Sequence, residues 1–318
     1  MLLQDAKQSR NPAYEVRSAV TGQLTATITP PRPGAYWVGA TGSGTGRTFV
    51  LSAETRGATG SVDSCDWSAY TLRLTAAGSV SSLSPLSVPG TPDNGSMTIT
   101  TPVLSADGST LAYVASQCGG PVRPSYQDTI VVAAHGNVHR YAVTLPGLSG
   151  GKPVSSWISS LSLSANGSEL GYVTGEYAFS YPTVPGGAWV LATSAPSGPA
   201  AQSAHEIFTD GTRRGPWANA LVLSSDASTG YLLARTGGPH TLGYALSAYD
   251  VGTGSLTRVL HTWHGLPFQA GTEVAAGDRA IIWGWAPSQA AEVNLGTGAA
   301  APYLPRALAK VAVTGLAG

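Results

Sequence analysis

Few residues in this sequence combine a reactive side chain with an informative spacing. His261 and His264 in LHTWHGL are spaced to chelate a metal from a helix, but the local pattern is strand and loop, which makes them surface histidines. No Gly-x-Ser-x-Gly elbow occurs, and no serine has His and Asp partners at a triad-like spacing. SGTGRT, at 43–48, departs from the phosphate-binding Walker pattern at two fixed positions, with Thr41 in place of Gly and Arg47 in place of Lys. A second strand, TFVLS, follows it where a phosphate loop would run into a helix. A better-organised set is aromatic: Tyr36, Trp157 and Trp217 each stand seven residues ahead of a serine, Ser43, Ser164 and Ser224. Broad apolar faces with one polar handle suit such residues to stacking on a ring, a sugar or a peptide side chain, or to packing in a core.

The elements that must position these aromatics form a repeat. PVLSADGSTLAYVAS (102–116), LSLSANGSELGYVTG (161–175) and LVLSSDASTGYLLAR (221–235) align without a gap over their first residues. Each reads as a strand, a tight turn and a second apolar strand, with Asp-Gly or Asn-Gly marking the turn in two copies. The register extends to Gly46 and Gly277, so the anchors Gly46, Gly108, Gly167, Ala227 and Gly277 are 62, 59, 60 and 50 residues apart. A second hairpin lies between anchors, as in DTIVVAAHGNVHRYAVTL (128–145), AWVLATSAPSGPAAQSAHEIF (188–208) and LGYALSAYDVGTGSLTRVL (242–260). Four strands per period make one blade of a β-propeller.

The sequence therefore predicts an all-β, single-domain, six-bladed β-propeller closed by both termini. Its blades fall at about 31–90, 91–150, 151–210, 211–264 and 265–305, and the closing blade joins 306–318 to 1–30. In that last blade LAKVAVTG (308–315) supplies one strand and the N-terminal segment three, so that no sheet edge is left exposed.

LSADGSTLAYV and LSANGSELGYV resemble the repeat of TolB-type and WD-repeat-like propellers, and VRSAVTGQLTATI and YDVGTGSLTRVL look like the outer hairpins of such blades. The chain is similar in flavour to actinobacterial extracytoplasmic propeller proteins, mostly of unassigned activity, many with a membrane segment upstream. The resemblance implies the architecture and an extracytoplasmic or secreted location. The alternative is a cytoplasmic one, since MLLQDAKQSR reads as no signal peptide.

Composition narrows the partners. Lys plus Arg equals Asp plus Glu at 17 each in 318 residues, so the basic surplus that nucleic-acid binding draws on is missing. No run approaches a membrane-spanning length, and a monomer is expected. Cys65 and Cys118 follow the second strands of neighbouring blades, on one face, and are candidates for a disulfide closing 52 intervening residues.

The candidate ligand-binding residues are Tyr36, Trp157 and Trp217 with Asn219 and Glu273, at the mouth of the central channel. Asp93, Asn94, Ser159 and Gln269 are polar neighbours at the same end. The expected role is a non-enzymatic binding or scaffold module for a protein, peptide, glycan or small ligand, without cofactor, metal or catalytic residue. The alternative is a lactonase-like propeller hydrolase or lyase, which requires several carboxylates and amides converging on a hard cation. Asn94-Gly95-Ser96 and Asn166-Gly167-Ser168 match the glycosylation pattern, but turn geometry accounts for both.

Overall fold

The computed structural model describes residues 2–5, 13–18, 21–43, 46–55, 66–88, 97–117, 128–143, 156–176, 186–209, 217–236, 243–264, 270–274, 279–284 and 291–302. An N-terminal sheet holds β1 (Leu2–Asp5), β2 (Tyr14–Arg17) and β3 (Leu24–Ile28). Blade 1 follows with β4 (Ala35–Gly42), β5 (Thr48–Thr55), β6 (Asp66–Leu74) and β7 (Val80–Leu86). Blade 2 has β8 (Met97–Leu104), β9 (Thr110–Gln117), β10 (Asp128–Ala134) and β11 (Asn137–Val143). Blade 3 has β12 (Ser156–Leu163), β13 (Glu169–Glu176), β14 (Gly187–Ala192), a short β15 (Gly198–Pro199), a single helical turn α1 (Ala200–Ser203) and β16 (Ala204–Thr209). Blade 4 has β17 (Trp217–Leu223), β18 (Thr229–Thr236), β19 (Gly243–Asp250) and β20 (Leu256–His264). Blade 5 has β21 (Ala270–Val274), β22 (Arg279–Gly284), β23 (Ala291–Asn294) and β24 (Ala300–Pro302).

Each blade is an antiparallel meander in chain order, and the first strands of consecutive blades are neighbours, as a β-propeller requires. The described residues make five complete blades, not the expected six. The N-terminal sheet has three strands, one short of a blade, and 306–318, the segment expected to complete it, lies outside the described residues. Blade 2 also departs from the four-strand expectation. The connection between β14 and β16 is long enough to reach back, and its β15 runs parallel to β11, pairing Tyr141 with Gly198. Among the described residues no helix is long and apolar enough to cross a membrane.

The turn anchors behave as their sequence demands. Gly46, Gly108, Gly167 and Ala227 all have positive φ, and each donates its N–H to the carbonyl of the serine three positions earlier. Gly277 lies outside the described residues. In blade 2 the Ser105 hydroxyl donates to Asp107 at 2.6 Å, the Ser109 N–H donates to the same carboxylate, and the Thr110 N–H donates to Ser105 Oγ. Ser164, Asn166 and Ser168 repeat this network in blade 3, and Ser224, Asp226 and Ser228 repeat it in blade 4. Hydrogen bonds to the ionised form, from the Ser105 hydroxyl first, hold Asp107 below its ordinary value. The Ser224 hydroxyl and the Ser228 amide bring Asp226 down to about 2.

The core lies between neighbouring sheets. Tyr14, Val16 and Ile28 of the N-terminal sheet pack with Trp37, Phe49 and Leu72 of blade 1, and the Trp37 indole N–H donates to the Ile28 carbonyl at 2.9 Å. Innermost strands are also tied side by side: the Leu104 N–H donates to Thr41 Oγ1, and the Leu223 N–H donates to Ser162 Oγ.

At the rim, most junctions carry a latch from the outermost strand of one sheet to the hairpin turn of the next. Thr25 donates to the Gly78 carbonyl, and Tyr141 donates to the carbonyls of Thr193 and Ala195. His205 Nε2 meets the Val251 carbonyl, and Arg258 donates to those of Leu295 and Gly296. Between blades 1 and 2, no side chain of β7 makes such a bond among the described residues. Its sequence VSSLSPL offers only short serine hydroxyls as polar groups.

Candidate functional site

The three aromatics occupy one structural position. Tyr36 pairs with Glu54, Trp157 with Gly175 and Trp217 with Arg235, each at the start of the innermost strand of its blade. Directly after each aromatic pair the ladder breaks, between Trp37 and Gly39, Ile158 and Ser160, and Ala218 and Ala220. The extra residues are Val38, Ser159 and Asn219. Strand β8 is irregular at the same level, between Thr100 and Val103, where Thr101 has a φ of +50°. For a β-branched residue this is strained backbone. Over its described residues, Ala270–Val274, β21 pairs regularly, and the position aligned with the bulges, Gln269, lies outside the described residues.

A bulge re-aims a side chain out of the alternating pattern, and the burial shows the effect. Ser159 is exposed between Ile158 and Ser160, which are 1% and 8% exposed. Asn219 is half-buried beside the buried Ala220. The Ser159 hydroxyl donates to the Asn219 carbonyl at 3.2 Å, linking the bulges of blades 3 and 4. The Asn219 carboxamide makes no hydrogen bond among the described residues, so its donors and acceptor are available to a ligand.

Trp217 and Tyr36 are half-buried, neither sealed in the core nor fully solvated. The Arg235 guanidinium carbon lies 4.9 Å from the Trp217 ring centroid, a cation–π contact that fixes one face of the indole. For Trp157 and Glu273 the backbone is described and the side chain is not. Asp93, Asn94, Gln269, Cys65 and Cys118 lie outside the described residues. His261 and His264 both fall on β20, three residues apart on alternating faces, so they cannot close on one ion. His261 instead packs against Trp263, with ring centroids 4.5 Å apart.

Two features of this end escaped the sequence. Asp128 is 7% exposed and accepts a hydrogen bond from the Ile158 N–H at 3.2 Å, so a buried carboxylate of blade 2 steadies the bulge of blade 3. Its signal was an acid placed directly before an apolar strand, in QDTIVV. The bulges left a fainter one, Gly39 and Pro102 within otherwise apolar strands. Arg47 of the SGTGRT turn is exposed, and its carbonyl accepts from the Leu74 N–H, so that turn is a hairpin and not a nucleotide site. Among the described residues no cluster of three metal-ligating side chains occurs.

No family model and no curated protein matches the sequence. Solved structures do. The tricorn protease aligns at a TM-score of 0.53 and 10% identity over 99% of this chain, which spans only 31% of that one. A protein described as TolB from Agrobacterium tumefaciens aligns at 0.52 and 10% identity, over 93% of this chain and 90% of that one. A protein described as a 6-phosphogluconolactonase from Bacteroides uniformis aligns at 0.51 and 12% identity, over 99% and 96%. At such identities the likeness is one of fold: the chain has the β-propeller architecture shared by these proteins.

Proposed function

We propose that this propeller is a binding module, acting as one domain, that takes a peptide, glycan or small ligand at the channel mouth lined by Tyr36, Trp157, Trp217, Asn219 and Glu273. The observation that carries the reading is the recurrence of an aromatic followed two residues later by a bulge on the innermost strands of blades 1, 3 and 4. Aromatic faces supply stacking area, and the Ser159 and Asn219 bulges supply hydroxyl and amide groups beside them. The balanced charge leaves nucleic acid out of the reading. The TolB-like architecture supports an extracytoplasmic location.

A glycan and peptide array followed by titration of the best binder tests this. Trp217→Ala is expected to weaken binding by roughly tenfold or more, and Asn219→Ala by a smaller factor. Binding that survives both substitutions unchanged rules out the channel mouth.

The competing reading is a lactonase-like hydrolase or lyase. It is favoured by the placement of Asn219 and Glu273 on neighbouring innermost strands, β17 and β21. Hydrolysis of glucono-1,5-lactone that falls on Glu273→Gln selects it over the binding module.

A further inference from the structure

On the hairpin-turn face, remote from the channel mouth, a cleft of about 410 Å³ is lined by residues of blades 1 and 2. We propose that this cleft binds a small amphipathic carboxylate, with the acid group on Arg73 and the apolar body on Val50, Leu104 and Leu111.

The cleft exists because this junction lacks what closes the others. The turn glycines measure the difference. A methyl group added at Gly298 would meet the Leu260 carbonyl oxygen at 2.5 Å, and at Gly254 it would meet the Glu206 oxygen at 3.1 Å. At Gly167 it would meet Thr110 Oγ1 at 2.4 Å. The two corresponding turns of blade 2, at Gly108 and Gly136, have nothing within 4 Å. The aligned apolar positions agree: Phe49 and Leu170 are fully buried, while Leu111 is only half-buried. Blade 2 thus presents partly uncovered apolar surface toward blade 1, whereas the turns at Gly167, Gly254 and Gly298 press on the preceding blade.

The walls have a definite chemistry. Thr48 pairs with Arg73 and Val50 with Thr71, so these four side chains share one face of blade 1. Opposite them, Leu104 pairs with Leu111, which pairs with Ala133. Among the described residues Arg73 is exposed without an ion-pair or hydrogen-bond partner, and none of those lining the cleft is a carboxylate. Asp107, the nearest acid in sequence, is engaged by Ser105 and Ser109 within its own turn. His135 stands on the rim, in a two-residue hairpin turn at a φ of +49°. One fork-shaped cation over an apolar floor, with hydroxyls at the edge, is a complement for a carboxylate on a hydrocarbon or aromatic body. The volume falls within the range of small-molecule sites.

The test is isothermal titration with 2-naphthoate and its neutral analogue 2-naphthamide. The wild-type protein is expected to bind both, the acid more tightly. Arg73→Gln should weaken the acid about tenfold and leave the amide unchanged. Ser87→Trp and Asn137→Trp, at exposed positions on the cleft wall, should each abolish both, and Trp217→Ala at the channel mouth should change neither. Failure of the wild type to bind 2-naphthoate at low-millimolar concentration overturns the proposal. So does binding that is indifferent to Arg73→Gln and to both tryptophan fillings.

Discussion

The junction between blades 4 and 5 and the junction between blades 1 and 2 are built from the same hairpins, yet one is closed and the other open. At the closed one, Arg258 of β20 grips the carbonyls of Leu295 and Gly296, and Gly298 lies flat against the Leu260 backbone. At the open one, β7 offers serines where β20 offers an arginine, and Gly136 faces empty space. Propeller blades share one backbone plan, but the seam between two blades depends on whether a side chain of the outermost strand bonds to the next turn, as Thr25, Tyr141 and Arg258 do and no residue of β7 does among the described residues. A seam without that side chain leaves room for a ligand.

The largest expected effect concerns the two cysteines, which the sequence places after the second strands of blades 1 and 2. A Cys65–Cys118 disulfide would join the loops of blades 1 and 2 and compensate for the missing latch. Its reduction is expected to cost about 3–4 kcal/mol, measured by denaturant unfolding with and without reductant. Two thiols counted in the denatured, unreduced protein would retire it.

Next in size is a matched pair of glycine substitutions. Gly298→Ala forces a left-handed φ and a backbone clash, for an expected loss of about 3 kcal/mol. Gly136→Ala, also at positive φ but in open space, should lose only about 1 kcal/mol. Equal losses would mean that the two seams are equally tight.

A smaller effect is expected at the seam between blades 2 and 3. Tyr141→Phe removes a hydroxyl whose one proton is shared between two carbonyls and should cost about 1–2 kcal/mol in thermal or denaturant unfolding. A neutral result would show that the latch contributes nothing.

The smallest effect is one of pH. Asp226 has a folded-state value of about 2, below that of an unfolded aspartate at about 4, so its contribution is complete above about 4 and is lost as pH falls through 2. The melting-temperature difference between wild type and Asp226→Asn should therefore shrink to nothing across that window. A constant difference would place the benefit in the turn's shape and not in its charge.

The aligned serines and their turn residues were enough to place the hairpins, because a tight turn needs a particular backbone and only a few residue types supply it. The same regularity carried the expectation of a sixth blade too far. Repeat spacing counts hairpins, whereas a blade is complete only when four strands pair, and the N-terminal sheet pairs three among the described residues. Of the site, the aromatic register was legible from the seven-residue offset to each serine. The bulges at Ser159 and Asn219 were not, because a one-residue misregister belongs to two strands at once and neither sequence contains it alone.

The amino-acid sequence by itself determined the strand pairs, the turns and the propeller architecture, since alternating apolar residues and positive-φ turn residues act within a few positions of each other. The tertiary structure decided which seams close, which residues of the innermost strands leave the alternating register, and that Arg73 borders an apolar cleft. Those outcomes depend on contacts between residues of different blades, some about sixty positions apart, whose distances no local pattern encodes.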